Sequence, residues 1–427
     1  MEKTDIFVIA LDEGNLRTLE QIPDADRFRF HPLLGVEETQ EGEIPIEDLL
    51  DKAQRTLDAF DGRIGAIVGY WDFPVTALVP LLCQPLGLPS TDLEAVVKCE
   101  HKYWSRLEQS EVLDDLPKFG IVDLEGEPRL PDGMDYPVWL KPVKSFSSEL
   151  AFHVHDDDEF DKAVVQIRGG VGRVGRPFEF ILDRIELPPE IARVGGQACL
   201  AEETLIGVQA ATEGYVHQGR VTLNGALDSI NYPDTPCFLR HQYPSQLPHE
   251  IVARMFDISE RVITRMGMDN SMFSIEFFCD PDSGRVSVLE INARHSQSHA
   301  DLFAAVDGIP NHHCMVRLGL GLDPALPRGE GPYEIASKWY YRRFSDALVT
   351  RIPTEDEIDR LQREIPGVTI EVVPAEGTRL SDMPAQDSYS YELADLFIGA
   401  DSEAEMTRKF DRCVESLHFE FDETQTR

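Results

Sequence analysis

The chain has 427 residues, 42% of them hydrophobic, enough to bury the cores of roughly two to three domains. Its 77 acidic residues against 40 Lys and Arg give a formal net charge of -37, a surface that repels nucleic acid and anionic membranes and excludes polyanion partners outside a local basic pocket. No apolar run approaches the roughly 18 residues of a membrane span and no signal-type leader is recognised. The seven cysteines show neither a CxxC pair nor zinc-ligand spacing, so a cytoplasmic protein with reduced thiols is expected. Acidic runs such as HDDDEFD and IPTEDEID, with scarce lysine, fit a protein kept soluble in high salt; an acidic protein from ordinary salt would share this composition.

In chain order, DIFVIAL, RFRFH and RIGAIVGY are strand-like, whereas IEDLLDKAQRTLDAF has apolar residues at helical spacing and FPVTALVPLLCQPLG opens with Pro in its first turn. This βαβα pattern predicts a parallel sheet covered by helices. GYWDFP, residues 69–74, falls at a strand's carboxyl end, where open α/β sheets bind ligands, although a structural turn is the favoured reading of Trp71 and Asp72. TDLEAVVKCEHKYWSRLEQS reads as one helix with a Thr91/Glu94 capping box and carries Lys102. PVWLKPVKSFSSELAFHV reads as two strands around a short polar loop, Lys141 ending the first, and DDDEFDKAVVQI as a helix. GGVGRVGRP lacks the strand-to-helix context and GK[ST] ending of a phosphate loop and is expected to be a surface loop. Strands resume in QACLAEETLIGVQAATEGYVHQGRVTLNGALDSI, and HEIVARMFDISERVITRMG is an amphipathic helix. The last hundred residues form a smaller β-α-β-β-α unit.

SIEFFCDPDSGRVSVLEINAR, starting at Ser274, reads as a hairpin, with DPDSG as its turn. Glu276 shares a face with Ser274 and Phe278, and Glu290 shares one with Asn292. Carboxylates buried on a sheet cost several kcal/mol each unless paired. Two carboxylates and an amide oxygen, without Cys or His, form a hard-oxygen set suited to Mg²⁺ rather than zinc. Solvated glutamates on a polar hairpin remain the alternative at this point.

The order of these features resembles the ATP-grasp ligases over essentially the whole chain. Lys102 in EHKYW precedes Lys141 in LKP, EETLIG follows at residues 202–207, and FSIEFF and LEINAR come last; only ten lysines occur in the chain, and two occupy these positions. The resemblance implies an α/β and α+β architecture: a Rossmann-like domain at residues 1–95, an N-terminal ATP-grasp subdomain with a lid at 96–200, a C-terminal subdomain with the metal hairpin at 201–329, and a small α+β domain at 330–427. It implies ATP phosphates held by Lys102, Lys141, Ser147 and Ser148, adenine and ribose held by Glu202, Glu203, Leu205 and Gln209, two Mg²⁺ ions (or Mn²⁺) on Glu276, Glu290 and Asn292, and a phosphoryl-facing Arg294.

The implied reaction joins a small carboxylate to an amine through an acyl phosphate, with ADP and phosphate released, in an enzyme with neither nucleic-acid nor membrane partners and with a homodimer as the expected assembly. Two departures stand out: SFSSE, residues 145–149, replaces the family's Gly-rich loop, and uncharged Gln209 stands where a ribose-binding glutamate is usual. Alternatives are a bicarbonate-using carboxylase and a nucleotide-binding regulatory protein without turnover. His295 and His299 are expected to contact the acceptor substrate or to pack, as are His312 and His313, and Arg240 and His241 to bind a substrate carboxylate or to lie in a surface loop.

Overall fold

The computed structural model describes residues 3–145, 149–235, 237–383 and 390–423. The N-terminal sheet has order β2-β1-β3, with β1 (Thr4–Ile9) parallel to both β2 (Phe28–Leu33) and β3 (Ile64–Val68). β1 is buried over five consecutive residues because helices close both faces, the environment that favours continuous apolar strands in parallel sheets. α1 (Glu13–Leu19), α2 (Val36–Gln40), α3 (Ile46–Asp58) and α4 (Val75–Cys83) belong to this unit. α3 turns Ile46, Leu49, Ala53 and Leu57 inward, as its periodicity predicts.

The expected single helix around Lys102 is two: α5 (Leu93–Glu100) and α6 (Lys102–Ser110). The Thr91/Glu94 capping box is absent; Asp92 occupies the N-cap, Thr91 Oγ1 accepts from Asp269 N, and Glu94 pairs with Lys98. The break at His101 comes from tertiary bonding. His101 Nε2 donates to Gly195 O at 3.0 Å, leaving Nδ1 to accept from Trp104 N and cap α6, while Lys102 N bonds Val143 O. Burial lowers His101 to about 4, so the neutral ring these bonds require persists at neutral pH.

A four-stranded antiparallel sheet follows in the order β4-β7-β5-β6: β4 (Phe119–Val122), β5 (Val138–Pro142), β6 (Phe152–Val154) and β7 (Cys199–Glu203). α7 (Asp157–Gly170), α8 (Gly172–Leu182) and α9 (Pro189–Val194) accompany it. The expected GGVGRVGRP loop is thus helical, continuing α7 into α8. Val174, Phe178 and Ile181 have buried positions to fill against the N-terminal domain's core, and that packing outweighs the poor helix propensity of Gly. A Cβ at Gly175 would meet Gly196 O at 2.8 Å, so glycine there permits close backbone approach.

The third sheet has eight strands: β8 (Val208–His217), β9 (Arg220–Asn231), β10 (Phe238–Tyr243), β11 (Ser271–Asp280), β12 (Arg285–Asn292), β13 (Ile335–Arg343), β15 (Val368–Val372) and β16 (Tyr391–Ala400). Their order is β12-β11-β8-β9-β10-β13-β16-β15. The C-terminal strands therefore extend the sheet that carries the hairpin rather than forming a sheet of their own, with β14 (Leu348–Arg351) and β17 (Glu420–Asp422) as a separate pair. α10 (His249–Met266) covers one face with Ile251, Met255, Val262 and Ile263; α11 (Ala300–Asp307) and α12 (His312–Gly319) follow the hairpin, and α13 (Glu355–Glu364) and α14 (Glu403–Ser416) complete the C-terminal end. No helix among the described residues is long and apolar enough to cross a membrane.

A candidate nucleotide and metal site

The hairpin opposes Glu276 to Glu290 and Ser274 to Asn292, with a register shift after Glu276. Pairing passes from Glu276↔Glu290 to Phe277↔Val288, so Leu289 is an extra residue, a bulge. The bulge decides the site. Val286, Val288, Ile291 and Ala293 all enter the core with Phe273, Ile275, Phe277 and Cys279; the phase change between Val288 and Ile291 rotates Glu290 and Asn292 onto the face of Glu276.

Arg106 holds the bulge in place. It is 2% exposed, and its Nη1 and Nη2 donate to Val288 O at 2.9 Å and Leu289 O at 3.1 Å. Its Nε donates to Glu202 Oε1 at 2.6 Å and Nη1 also reaches Gln109 Oε1 at 2.7 Å. The other Glu202 oxygen pairs with Lys141. Burial would raise the Glu202 carboxyl, but Arg106 and Lys141 outweigh it and hold it at about 2. Both oxygens are thus engaged by cations, so the side-chain grip on adenine expected of Glu202 is not the role this geometry supports; Glu202 fastens β7 to α6 and the hairpin.

Lys102 Nζ lies 2.8 Å from Glu290 Oε1 and donates to Ser145 O at 2.8 Å. Burial acts to raise Glu290, but Lys102 and Lys141 bring its carboxyl below the ordinary value. Arg294 is bidentate to Asp72, Nε to Oδ1 at 2.8 Å and Nη2 to Oδ2 at 2.6 Å. Asp72 therefore belongs to the cleft wall rather than being only a turn residue, and Arg294, aided by Lys144 and Lys102, lowers its carboxyl against the raising effect of burial. Lys144 pairs with Glu100 at 2.8 Å and lies over the Phe73 and Phe178 rings.

Glu276 alone among these carboxylates has no ion pair among the described residues; its nearest polar partner is Asn292 Nδ2 at 3.5 Å. Burial first, then the facing Glu290 charge, push it up to about 7. Two half-buried carboxylates face to face, with the Asn292 amide beside them, offer the hard-oxygen donor set that a divalent cation would satisfy. The residues fit Mg²⁺.

Of the remaining expected nucleotide contacts, Ser147 and Ser148 lie outside the described residues. Gln209 stands opposite Phe278 on β11 and Ser229 on β9, on the sheet face that bears Glu276. Leu205 lies half-buried in the β7–β8 link beside Ile206, 79% exposed, and Val208, 49% exposed, an apolar edge next to the cleft. Glu203 accepts from Lys118 N at 3.1 Å and so ties β7 to β4.

Arg240 is not in a surface loop. It lies in β10, on the sheet face opposite His241, where it pairs with Glu403 and stacks over Trp339 at 4.4 Å. His295 and His299 do not share a helix face, because α11 begins only at Ala300. His295 is buried against His312 and Tyr70; His312 bonds Asn15 and His313 bonds Pro324 O, which fastens α12 to its neighbours. The sequence reasoning missed Arg106, Glu213 and the His101 cap. Glu213 is fully buried and accepts from Ser296 N, Asn311 Nδ2 and His299 Nδ1.

Comparison with known proteins bears on the fold. Residues 134–300 match the family described as "ATP-grasp domain". The carbamoyl phosphate synthase large chain of Kocuria rhizophila is 41% identical over 68 residues, 16% of this chain and only 6% of that relative's length. An L-amino acid ligase from Bacillus licheniformis superposes with a TM-score of 0.71 at 16% identity, over 99% of this chain and 100% of that one. Phosphoribosylglycinamide synthetase from Anaerococcus prevotii gives 0.65 at 11% identity, over 99% and 100%. The biotin carboxylase domain of the Hydrogenobacter thermophilus 2-oxoglutarate carboxylase, solved with MgADP and bicarbonate, gives 0.64 at 15% identity, over 99% and 92%.

Proposed function

Because this chain carries an ATP-grasp domain within an ATP-grasp fold, we propose that it is an ADP-forming ligase that activates a small carboxylate as an acyl phosphate and transfers the acyl group to an amine. The observation that carries the reading is one face of one hairpin, where Glu276, Glu290 and Asn292 stand together with Lys102 on Glu290 and Arg294 close by. Phosphoryl transfer asks of a protein mainly in-line positioning and neutralisation of charge on the phosphate oxygens.

Glu276, Glu290 and Asn292 would hold Mg²⁺, which supplies charge neutralisation and orientation of the phosphates when bound. Lys102 and Lys141 offer ammonium groups whose positions are set beforehand by Glu290, Ser145 O and Glu202. Preorganised charge needs no reorientation during the reaction. In the first step a substrate carboxylate oxygen attacks the γ-phosphorus and ADP leaves. Arg294 already holds a carboxylate in bidentate fashion, that of Asp72, which is the geometry a substrate carboxylate or an acyl phosphate would present to it. In the second step the amine nitrogen attacks the acyl carbon and phosphate leaves with the electron pair of the C–O bond.

The test is ADP release from ATP and Mg²⁺ with pools of small carboxylates, each run with and without amines and with and without bicarbonate. Release that needs both a carboxylate and an amine is expected. Release driven by bicarbonate alone would replace the reading with a carboxylase, and ATP binding without release from any pool would replace it with a nucleotide sensor.

A further inference from the structure

The network at Glu213 contains a pair that ATP binding and phosphoryl transfer leave unused. Glu213 stands opposite Ser274 on β11, and Ser274 stands opposite Asn292 on β12, so the three share one cross-strand row beside the Glu276–Glu290 row. On Glu213 sits His299, Nδ1 to Oε1 at 2.7 Å. Carboxylate oxygens only accept, so Nδ1 carries a proton, and in the neutral ring the lone pair is on Nε2. The carboxylate is itself fixed, fully buried, by Ser296 N at 3.0 Å and Asn311 Nδ2 at 3.0 Å. His299 Nε2 makes no hydrogen bond among the described residues, and the residue keeps 5% of its surface exposed.

Two strand spacings, about 10 Å, separate the Glu213 and Asn292 strands, so the pair lies one small-molecule length from the metal-ligand face. His299 differs in this from the other histidines nearby. His295 has its Nε2 buried without a partner, His312 bonds Asn15, and His241 bonds Ser229 through Nδ1 with no carboxylate behind it.

We propose that His299 is the general base of the second half-reaction, with Glu213 as its positioning residue, an inference that rests on the ligase reading above. The amine nitrogen forms its bond to the acyl carbon, the C–O bond to phosphate breaks with its electron pair on phosphate, and the proton lost by nitrogen goes to His299 Nε2. Glu213 keeps the tautomer correct and stabilises the imidazolium. The titratable and charged groups around His299 are Glu213 on β8, His241 on β10 at a ring distance of 5.3 Å, Lys338 beyond it on β13, and His295 and Asp301 on its own segment.

The experiment uses the full chain with ATP, Mg²⁺ and an active carboxylate, and compares hydroxylamine with an amino acid as acceptor. Hydroxylamine is already unprotonated at neutral pH and traps an acyl phosphate without a base. His299→Asn is expected to keep hydroxamate formation within about threefold of the parent and to lose amide formation at least a hundredfold, in the range general base catalysis supplies. Glu213→Gln is expected to show the same split to a smaller extent. Unfolding midpoints confirm that each variant is folded, and Glu213→Gln carries the test alone where His299→Asn is not.

Equal losses of hydroxamate and amide in a folded variant, or no loss of either, would overturn the role of His299. A parent that releases ADP but forms hydroxamate with none of the carboxylates would instead overturn the ligase reading, and this inference with it.

Discussion

Replacing Glu202 by Gln keeps the shape of the residue that joins Arg106 to Lys141 and removes its charge. The carboxyl is 4% exposed, so solvent screens little of the interaction. Its fall from 4.5 to about 2 corresponds to about 3 kcal/mol favouring the folded state, an upper figure because the same burial lowers the ammonium of its partner Lys141. Losing one member of a buried ion pair costs about 3–5 kcal/mol, so the two routes agree. The sign follows from the depressed folded value: the contribution is full above the unfolded carboxyl's range and is lost as pH falls toward about 2. Urea unfolding followed by tryptophan fluorescence is a suitable assay, because Trp104 lies in the Arg106 helix and Trp139 is the strand partner of Glu202. The expected gap between parent and Glu202→Gln is about 3 kcal/mol from pH 7 to about 5, shrinking to roughly half by pH 3. A gap below about 1 kcal/mol at pH 7, or one that grows as pH falls, would refute the triad as a stabilising element.

Arg106→Lys keeps the charge but cannot reach Glu202 and both bulge carbonyls at once, so Glu290 should lose its orientation; ADP formation is expected to fall at least about tenfold, and an unchanged rate would count against the bulge as the device that sets the site. Gly207 has a φ of +128° and a Cβ there would lie 2.2 Å from Cys279 O, whereas Gly219, at +73°, faces open space. Gly207→Ala should therefore cost at least about 2 kcal/mol more than Gly219→Ala in urea unfolding, and equal costs would show that the β7–β8 link relaxes freely. With a net charge of -37, the melting temperature should climb as KCl rises from about 0.1 M to about 2 M, most steeply at the low end; a flat profile would mean that surface self-repulsion does not limit stability.

The sequence announced the hairpin because its turn chemistry and alternation are local. It also contained the bulge, as the odd spacing from Val288 to Ile291 in the core-facing pattern, but a strict period of two hides such a slip unless the phase is followed through the strand. What escaped reading depends on partners far along the chain. Arg106 meets Glu202 from 96 residues away and Val288 from 182, and Glu213 meets His299 from 86, so nothing near either residue marks it as buried and paired. The break at His101 is of the same kind, since helical periodicity runs straight through EHKYW and only Gly195 O and Val143 O divide the helix. GGVGRVGRP misled because glycine propensity is a local prior, and the burial of Val174, Phe178 and Ile181 overrode it. The placement of Arg240 misled for the converse reason: Pro and polar residues around CFLRHQYP suggested a loop, while pairing with both β9 and β13 makes it a central strand.

On the proposed reading, the charges at the cleft explain how so acidic a chain would receive a polyanion. Lys102, Lys141, Lys144, Arg106 and Arg294 are each held by a carboxylate, namely Glu290, Glu202, Glu100, Glu202 again and Asp72. Because Glu202 serves two cations, Glu276 is the one carboxylate of the group left without its own, and it is also the one pushed up to about 7. The cleft is thus close to neutral inside a protein of net charge -37, so a nucleotide does not have to overcome the surface field once it reaches the site. On the proposed reading each phosphate contact is an exchange of one anion for another at a cation already fixed in place. The gain is the difference between two pairings rather than the whole Coulomb attraction of one. Geometry, more than net charge, then selects what binds. That is why the bulge at Leu289 and the guanidinium of Arg106 that holds it count for as much here as the residues that would touch the nucleotide.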